Sequence, residues 1–292
     1  MHQTQKKATA FALLAAVLYA INSPISKLLL DRIPATMMAG FLYLGAGLGV
    51  FIMGVIQKAV GRKEKEQPLT QKELPFVVGM VLLDVAAPIF LMIGLTATTA
   101  ANASLLNNFE IVATSLIALA VFKEAISRRL WLAIALVTLS SILLSFEDMS
   151  SLSFSYGSLF VLLACVCWGF ENNCTRKLSS KNPLEIVVIK GFGSGLGAFI
   201  IAIVLGEKLP HPLLILGALG LGFVAYGLSI YFYIYAQREL SAAKTSTYYA
   251  IAPFVGAALS LLIFWKPPSP SYMIALVIMI LGTYFAATDA KA

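Results

Sequence analysis

Residues 184–205 read LEIVVIKGFGSGLGAFIIAIVL, a run of 22 residues in which only Glu185 and Lys190 are charged. A helix needs about 20 consecutive apolar residues to cross roughly 30 Å of hydrocarbon. A strand of a membrane β-barrel would instead alternate apolar and polar residues over about ten positions. The run is apolar at helical length, and it therefore predicts a transmembrane helix.

Nine further stretches have the same length and apolar character. The first of them follows Lys6-Lys7, as in a secretion signal, but its apolar run is too long for a signal, and we interpret it as a retained span. The charged run Gly61–Glu66 predicts a solvated loop between the second and third spans. The ten predicted spans, numbered 1 to 10 in chain order, are Ala8–Leu30, Met37–Ile56, Leu74–Leu95, Thr98–Phe122, Leu130–Phe146, Tyr156–Leu178, Leu184–Leu205, Leu213–Tyr235, Ala242–Trp265 and Tyr272–Thr288.

The composition agrees with this interpretation. The chain has 292 residues, of which 59% are apolar and 12% charged, whereas soluble domains have roughly 45–50% apolar and about 25% charged residues. So little polar surface excludes a soluble enzyme, a nucleic-acid-binding module and a disordered protein. We therefore expect the lipid bilayer as a partner, and no nucleic acid.

The basic residues predict the orientation, because short cytoplasmic loops are enriched in Lys and Arg. With a cytoplasmic N-terminus, sixteen of the 21 Lys and Arg residues lie in inside loops, and Lys190 lies within span 7. We therefore expect a multi-pass protein with both termini in the cytoplasm. The four basic residues left for the outside loops are Lys27, Arg32, Lys208 and Lys266.

The two halves of the chain resemble each other. Residues 19–22 of span 1 match residues 168–171 of span 6, which lie 149 positions later. Each half has five spans, an odd number, so the second copy must insert upside down. Inverted repeats around a central site are the architecture of many secondary transporters. We predict an all-α membrane protein with ten transmembrane helices in two inverted five-helix repeats, residues 1–150 and 151–292, around a central cavity.

Glycines recur at matching places in the repeats. Gly45 and Gly49 in span 2 correspond to Gly193 and Gly197 in span 7, one residue out of phase. Small residues four positions apart let helices approach closely. Both pairs therefore predict tight packing of spans 2 and 7, or sliding of these spans during a conformational switch.

The repeat pattern and loop lengths resemble the drug/metabolite transporter superfamily, EamA type, over essentially the whole chain. Its aromatic-rich spans 6, 8 and 9 are most similar to the bacterial YddG-type exporters of aromatic amino acids. The family has a proline in the middle of spans 4 and 9 and an acidic residue at the end of each. Pro253 and Lys123-Glu124 match this pattern, whereas Glu110 and Lys266-Pro267 depart from it.

The resemblance implies a ten-helix basket in a bacterial inner membrane. In such a basket, spans 1, 3, 4, 6, 8 and 9 surround the cavity, while spans 5 and 10 are peripheral. Late in the two repeats, Phe122-Lys123 falls near Trp265-Lys266.

Polar side chains within the spans are the candidate site residues. A charge in hydrocarbon costs about 2.5–3.5 kcal/mol on insertion scales, so it persists where it faces a cavity or a partner. Ser104, Asn107 and Glu110 form one polar stripe on span 4, and Lys190 is a candidate charge partner for the deep carboxylates. The predicted substrate-binding residues are Asn22, Asp84, Asn107, Glu110, Trp168, Glu171, Tyr226, Tyr248 and Tyr249.

Structural roles for the same residues stay open. The asparagines could instead make interhelical hydrogen bonds, and the carboxylates could form a structural ion pair. Lys190 could extend its ammonium group to the membrane interface, and the aromatic rings could pack in the core. Asp84, Glu110 and Glu171 are not expected to be ionised together if they share a small space.

These patterns predict a secondary transporter that exports small, largely apolar metabolites, amino acids including aromatic ones, by alternating access. Aromatic rings suit such ligands by stacking. A uniporter, which we favour slightly, and a proton-coupled antiporter both stay open. The alternatives are a nucleotide-sugar or phosphate-ester antiporter, which needs several deep cations, and a lipid-handling membrane enzyme or flippase.

Several chemistries lack their residues in this sequence. There is no phosphate-binding loop of the G-x-x-x-x-G-K-[ST] type, and the two histidines, His2 and His211, lie in the tail and in an outside loop. Cys165 and Cys167 are two residues apart, so they point to nearly opposite sides of a helix. We therefore expect no enzyme activity, no cofactor and no metal, with a small-molecule substrate as partner and a monomer or homodimer as the assembly.

Overall fold

The computed structural model describes residues 2–60, 67–123, 125–148, 153–178, 181–240, 245 and 248–289. Within these residues the named strands are one small antiparallel pair, Phe146–Asp148 and Ser153–Phe154, between spans 5 and 6. The helices are His2–Ala20 and Asn22–Leu29 in span 1, Ala35–Ala59 in span 2, the 3-10 turn Gln71–Glu73 followed by Leu74–Ala97 in span 3, Ala100–Leu106 and Phe109–Phe122 in span 4, Arg128–Ser145 in span 5, Tyr156–Leu178 in span 6, Pro183–Val204 in span 7, Pro212–Gly222, the π-helix Phe223–Leu228 and Ser229–Leu240 in span 8, Ala252–Phe264 in span 9, and Pro270–Asp289 in span 10.

Within the described residues, nine helical segments are long and apolar enough to cross a membrane. The predicted all-helical membrane fold is therefore confirmed. The described helix of span 9, Ala252–Phe264, has 13 residues and is shorter than a full crossing. Residues 242–244 and 246–247 of this predicted span lie outside the described residues, as do the predicted loop Gly61–Glu66 and Glu124.

Some of the spans are interrupted near their middle. Span 1 breaks at Ile21, where Pro24 lacks the backbone N–H that would continue the helical hydrogen bonds. Span 4 breaks at Asn107-Asn108, and span 8 widens into a π-helix at Phe223–Leu228. Pro88, in contrast, lies within the continuous helix of span 3. Irregular backbone at membrane depth is tolerated where protein or a cavity surrounds it.

The predicted glycine pairs pack against the opposite half of the chain. A Cβ on Gly45 would lie 2.1 Å from the Leu219 carbonyl oxygen, and one on Gly49 would overlap a side chain at the start of the π-helix, so both glycines face span 8. Gly193 and Gly197 face span 3, because Cβ atoms added to them would lie 3.0 and 2.5 Å from valine side chains of that span. Spans 3 and 8 are equivalent in the two repeats, so the packing follows the inverted symmetry.

The two halves are intertwined. Spans 2 and 7 cross directly where a Cβ on Gly191 would lie 2.3 Å from the Gly47 Cα. Span 3 packs along span 6, span 1 along span 8, and spans 5 and 10 pack on each other. Because each of these contacts joins the first half to the second, residues far apart in sequence meet in the interior.

Spans 4 and 9 end in the same way. Lys123 and Trp265 follow the last helical residues and adopt left-handed backbone conformations, with φ of 58° and 51°. Few residues other than glycine occupy this region. The shared helix end agrees, to within one residue, with the predicted correspondence of Phe122-Lys123 and Trp265-Lys266.

The chain before span 3 packs on the start of span 7 at one end of the bundle. The backbone N–H of Leu69 donates to the Glu185 carboxylate at 3.0 Å, and Lys181 lies 3.3 Å from the Glu73 carboxylate. We name this the closed end, defined by Leu69, Glu73, Lys181 and Glu185.

Candidate functional site

Three charged side chains from three spans form one buried cluster. Lys190 Nζ of span 7 lies 3.0 Å from Asp84 Oδ2 of span 3 and 3.0 Å from Glu171 Oε1 of span 6. Asp84 is fully buried and Glu171 is 2% exposed. The Thr175 hydroxyl, one helical turn along span 6, also donates to Glu171. The structure thus unites three charges that the sequence placed only separately at mid-membrane.

This cluster has two carboxylates and one ammonium group. Removing one partner of a buried ion pair typically costs about 3–5 kcal/mol, because the remaining charge stays unpaired in a poorly hydrated place. Lys190 therefore stabilises both Asp84 and Glu171. With all three groups ionised the cluster has a net negative charge, which favours cations over anions in the surrounding interior.

A hydrogen-bonded and aromatic path connects this cluster to span 1. The Tyr43 hydroxyl donates to Asp84 Oδ1 at 2.9 Å, and the ring of Tyr43 packs on that of Tyr226 with centroids 5.0 Å apart. Asn22 Nδ2 donates to the Tyr226 hydroxyl at 3.0 Å, and Asn22 Oδ1 accepts from Ser26 at 3.0 Å.

Glu110 has a different environment. It lies on the second helix of span 4, and Asn172 Nδ2 donates to its Oε1 at 2.6 Å. Trp168, one turn before Asn172 on span 6, is 5% exposed and belongs to the main hydrophobic core. The described partner of Glu110 is thus an amide and not a cation.

The two adjacent tyrosines after span 8 lie in separate environments. The ring of Tyr249 packs near Tyr19 and Tyr233, with centroids 5.9 and 5.0 Å away. Tyr248 packs instead on a small apolar cluster between spans 1 and 8 that contains Ala8 and Leu240. The predicted residues Asn22, Asp84, Glu171 and Tyr226 and the candidate charge partner Lys190 thus belong to one connected set of contacts. Tyr248 lies outside that set.

Several side chains of this interior were not predicted. Tyr43 and Tyr19 are aromatic residues in apolar spans, and nothing in their sequence neighbourhood distinguishes them from core residues. Asn172 could have been predicted, because it is a polar residue adjacent to Glu171 within an apolar span. Adjacent residues of a helix point in different directions, and Asn172 contacts Glu110 and not the partners of Glu171.

A cavity of about 530 Å³ opens at the end opposite the closed end. We name it the vestibule; its lining includes Lys27, Leu144, Lys266 and Tyr272, and no described residue of the lining is acidic. The Tyr272 hydroxyl is buried without a hydrogen-bond partner. Spans 5 and 10 contribute Leu144 and Tyr272 to the lining of the vestibule.

The smaller cavity, about 10 Å³, lies deeper, between spans 1, 4 and 9. Spans 4 and 9 line both cavities: Ala100 and Ser260 face the vestibule, and Ser104 and Gly256 lie one turn further in. Of the predicted binding residues, Asn107 lines this smaller cavity. Asp84, Glu171 and Lys190 line neither, so their contact with a substrate stays a prediction.

The described residues contain no group of three or more His, Cys, Asp or Glu side chains arranged to hold a metal ion. Cys165, Cys167 and Cys174 are free thiols.

Ten apolar helical segments around buried charges and an open vestibule are typical of a membrane transporter, and comparison with known proteins agrees. The model of the EamA-like transporter family matches residues 6–146 and 155–288. The chain belongs to this family. It is thus a membrane transporter and not an enzyme, and the two matched segments correspond to the two halves of the fold.

Its relatives extend over most of the chain. An uncharacterized transporter of Methanothermobacter thermautotrophicus is 26% identical over 293 aligned positions, which cover 95% of this chain and 85% of the relative. The uncharacterized transporter YyaM of Bacillus subtilis is 22% identical over 204 positions, 67% of each chain. A solved crystal structure with 16% identity has the same fold, with a TM-score of 0.68 over 97% of this chain and 96% of its own.

Proposed function

We propose that this EamA-family transporter exports small, largely apolar metabolites, amino acids with aromatic side chains among them, by alternating access across a bacterial inner membrane. The observation that carries the proposal is the buried cluster in which Asp84 and Glu171 share Lys190, with Tyr43 and Tyr226 packed beside it. Carboxylates in excess of cations favour an amino group, and tyrosine rings favour an apolar or aromatic side chain.

The difference between the two ends supports alternating access. The vestibule is open at one end, while at the other end a hydrogen bond from Leu69 to Glu185 joins the chain before span 3 to the start of span 7. In the predicted topology the vestibule faces outside and both termini are cytoplasmic. The structure would then correspond to an outward-open state, in which an exporter releases its substrate.

Exchange of phosphate esters or nucleotide sugars is the second candidate. Lys27 and Lys266 in the vestibule favour it, because no described acidic residue lines the same cavity. Against it, Lys190, the cation at mid-membrane, is already neutralised by two carboxylates. The amino-group proposal therefore fits the deep interior better.

Uptake and counterflow in proteoliposomes would test the proposal with a panel of labelled amino acids and sugar nucleotides. We expect transport of apolar and aromatic amino acids, and loss of both uptake and counterflow in Glu171→Gln and Trp168→Ala. Lys208→Gln, a change at an exposed lysine, is the control. Robust exchange of sugar nucleotides without amino acid transport would overturn the proposal.

The same assays separate ligand contact from proton coupling. If Asp84→Asn or Glu110→Gln abolishes proton-driven accumulation and leaves counterflow intact, the carboxylate carries a proton. If both activities fall together, the carboxylate contacts the substrate. Normal transport by both of these variants and by Glu171→Gln and Trp168→Ala would show that all four residues are structural.

A further inference from the structure

Three spans have helix ends or interruptions around the smaller cavity. Span 1 breaks just after Ala20, span 4 breaks at Asn107-Asn108, and the described helix of span 9 starts at Ala252 with Pro253 in its first turn. Discontinuous helices in transporters place unpaired backbone and side-chain groups where a ligand binds. This convergence is therefore a candidate ligand site.

Two oxygen atoms beside the smaller cavity lack a hydrogen-bond partner. Ser104 Oγ and Asn107 Oδ1 are buried without a hydrogen-bond partner, in residues that are 2% and 6% exposed. The Ala20 carbonyl lies close by, and Pro24, four residues later, has no N–H to donate to it. Unpartnered buried acceptors are costly, so this site requires a donor.

Gly256 leaves room for that donor. A Cβ at this position would lie 3.0 Å from both the Ala20 carbonyl oxygen and Ser104 Oγ, so the two oxygens converge on the space beside the glycine. The cavity of about 10 Å³ is close to the volume that one water molecule requires. A water-sized group with several N–H donors would fill it.

A primary ammonium group meets these requirements. It has three N–H donors and no acceptor, which matches Ala20, Ser104 and Asn107. The ring of Tyr19 also lines the cavity and can contribute a cation–π interaction. Glu110 lies one turn after Asn107 on span 4, with its backbone N–H bonded to the Asn107 carbonyl at 3.1 Å, while its carboxylate accepts from Asn172 of span 6.

We propose that spans 1, 4 and 9 form a binding site for the primary ammonium group of the transported solute, held by the Ala20 carbonyl, Ser104 Oγ and Asn107 Oδ1. The site lies one helical turn below the floor of the vestibule along spans 4 and 9. The inference rests on the proposed function for the identity of the solute, but the site itself is testable with simple amines.

The experiment measures binding to the purified full chain in neutral detergent and potassium buffer, by calorimetric titration. The probes are 2-phenylethylamine, which has only the ammonium group, 3-phenylpropanoate, which has only the carboxylate, and L-phenylalanine, which has both. The variants are Ser104→Ala, which removes one acceptor, and Gly256→Ala, which fills the space. Their controls are Ser141→Ala, at a buried serine bonded within span 5, and Gly217→Ala, at a glycine with no atom within 4 Å of the added Cβ.

We expect both probes with an ammonium group to bind, and both site variants to weaken that binding about tenfold. The controls should bind as the unmodified protein does, and 3-phenylpropanoate should show no dependence on Ser104. Ser104→Ala removes a hydroxyl without a partner, so it leaves no new unpaired group and should fold; it decides the test if Gly256→Ala does not fold.

Three results would overturn the proposal. The first is equal amine affinity in Ser104→Ala and Ser141→Ala. The second is Ser104-dependent binding of Na⁺ that competes with the amine, which would assign the cavity to a small ion. The third is no binding of either amine, which would leave water as the occupant. If 2-phenylethylamine binds through Ser104 but no amino acid is transported, the ammonium site stands and the proposed substrate class fails.

Discussion

At the residue scale, the interior carboxylates differ in what holds them: Asp84 and Glu171 share one lysine, whereas Glu110 is held by an amide. Asp84 accepts from Tyr43 and pairs with Lys190, Glu171 pairs with the same lysine, and Glu110 accepts from Asn172. Substitution of this lysine should therefore reduce the stability of the protein most, because two buried carboxylates pair with it.

Lys190→Met should destabilise the protein by about 3–5 kcal/mol, because it leaves Asp84 and Glu171 buried without their cation. Adding Asp84→Asn and Glu171→Gln should restore most of the loss, since the remaining groups are neutral. The measurement is the apparent thermal unfolding midpoint in detergent. Lys208→Met is the control, at an exposed lysine. Equal midpoints for Lys190→Met and Lys208→Met would show that the ion pairs contribute nothing to stability.

At the element scale, glycines determine how closely spans of the two repeats approach. Gly45 and Gly47 of span 2 touch spans 8 and 7 through backbone atoms, which cannot move aside as flexible side chains can. Gly217, in contrast, has open space around the position of an added Cβ, although it lies on the neighbouring span 8. The two kinds of glycine should respond oppositely to the same substitution.

Gly45→Ala should lower the apparent unfolding midpoint and the monodisperse fraction on size-exclusion chromatography, because its Cβ would lie 2.1 Å from the Leu219 carbonyl oxygen. Overpacking of this kind typically costs about 1–3 kcal/mol. Gly217→Ala should leave the midpoint unchanged or raise it slightly, since alanine favours helix over glycine. A Gly45→Ala protein as stable as Gly217→Ala would show that spans 2 and 8 are not in tight contact.

The closed end depends on a few polar contacts that are individually weak. Glu185 accepts from the Leu69 backbone, and Leu69 packs near Cys174 in a small apolar cluster. Partly exposed hydrogen bonds of this kind contribute about 1 kcal/mol. Such contacts suit an end that must open during transport.

Glu185→Gln should raise the rate at which a maleimide labels Cys174 by roughly fivefold. This is the change expected if the free energy that favours the closed over the open arrangement of this end falls by about 1 kcal/mol. The protein would have Cys165 and Cys167 replaced by serine, so that only Cys174 reacts. Glu207→Gln is the matched control, since Glu207 caps span 2 at the opposite end through Met37 N–H at 2.7 Å. Equal labelling in the two variants would argue against a role for Glu185 in closure.

At the scale of the whole molecule, the inverted repeat and the two unlike ends define the transport geometry. A bundle with one open vestibule and one closed end must face the two sides of the membrane differently. The direction depends on the orientation, which the asymmetry of basic residues predicts as cytoplasmic for both termini. The domain boundary near residue 150 also stays a prediction.

Single cysteines at Val60 and Leu209 test the orientation in intact cells, because both positions are exposed and lie in loops at opposite ends. With a cytoplasmic N-terminus, a membrane-impermeant maleimide should label Leu209→Cys from outside and Val60→Cys only after permeabilisation. Labelling of both positions from the same side would contradict the ten-span topology, and the reverse pattern would invert the membrane orientation.

The sequence by itself determined the all-helical membrane fold, and it predicted the ten spans and the inverted repeat. Apolar runs of about 20 residues can satisfy their backbone in lipid only as helices, and residues 45–49 and 193–197 carry a local signal of the repeat that needs no long-range information. It also identified most of the deep polar residues, because a charge such as Lys190 is conspicuous in an apolar run.

Only the tertiary structure decided which of those residues meet. Asp84 and Lys190 are about one hundred positions apart, and their 3.0 Å contact depends on how spans 3, 6 and 7 pack. Tyr248 and Tyr249 are neighbours in sequence, yet they point into different clusters because adjacent side chains of a helix diverge. The oxygens beside Gly256 come from two other spans, and such convergence has no local signature because it arises only when separate helices pack together.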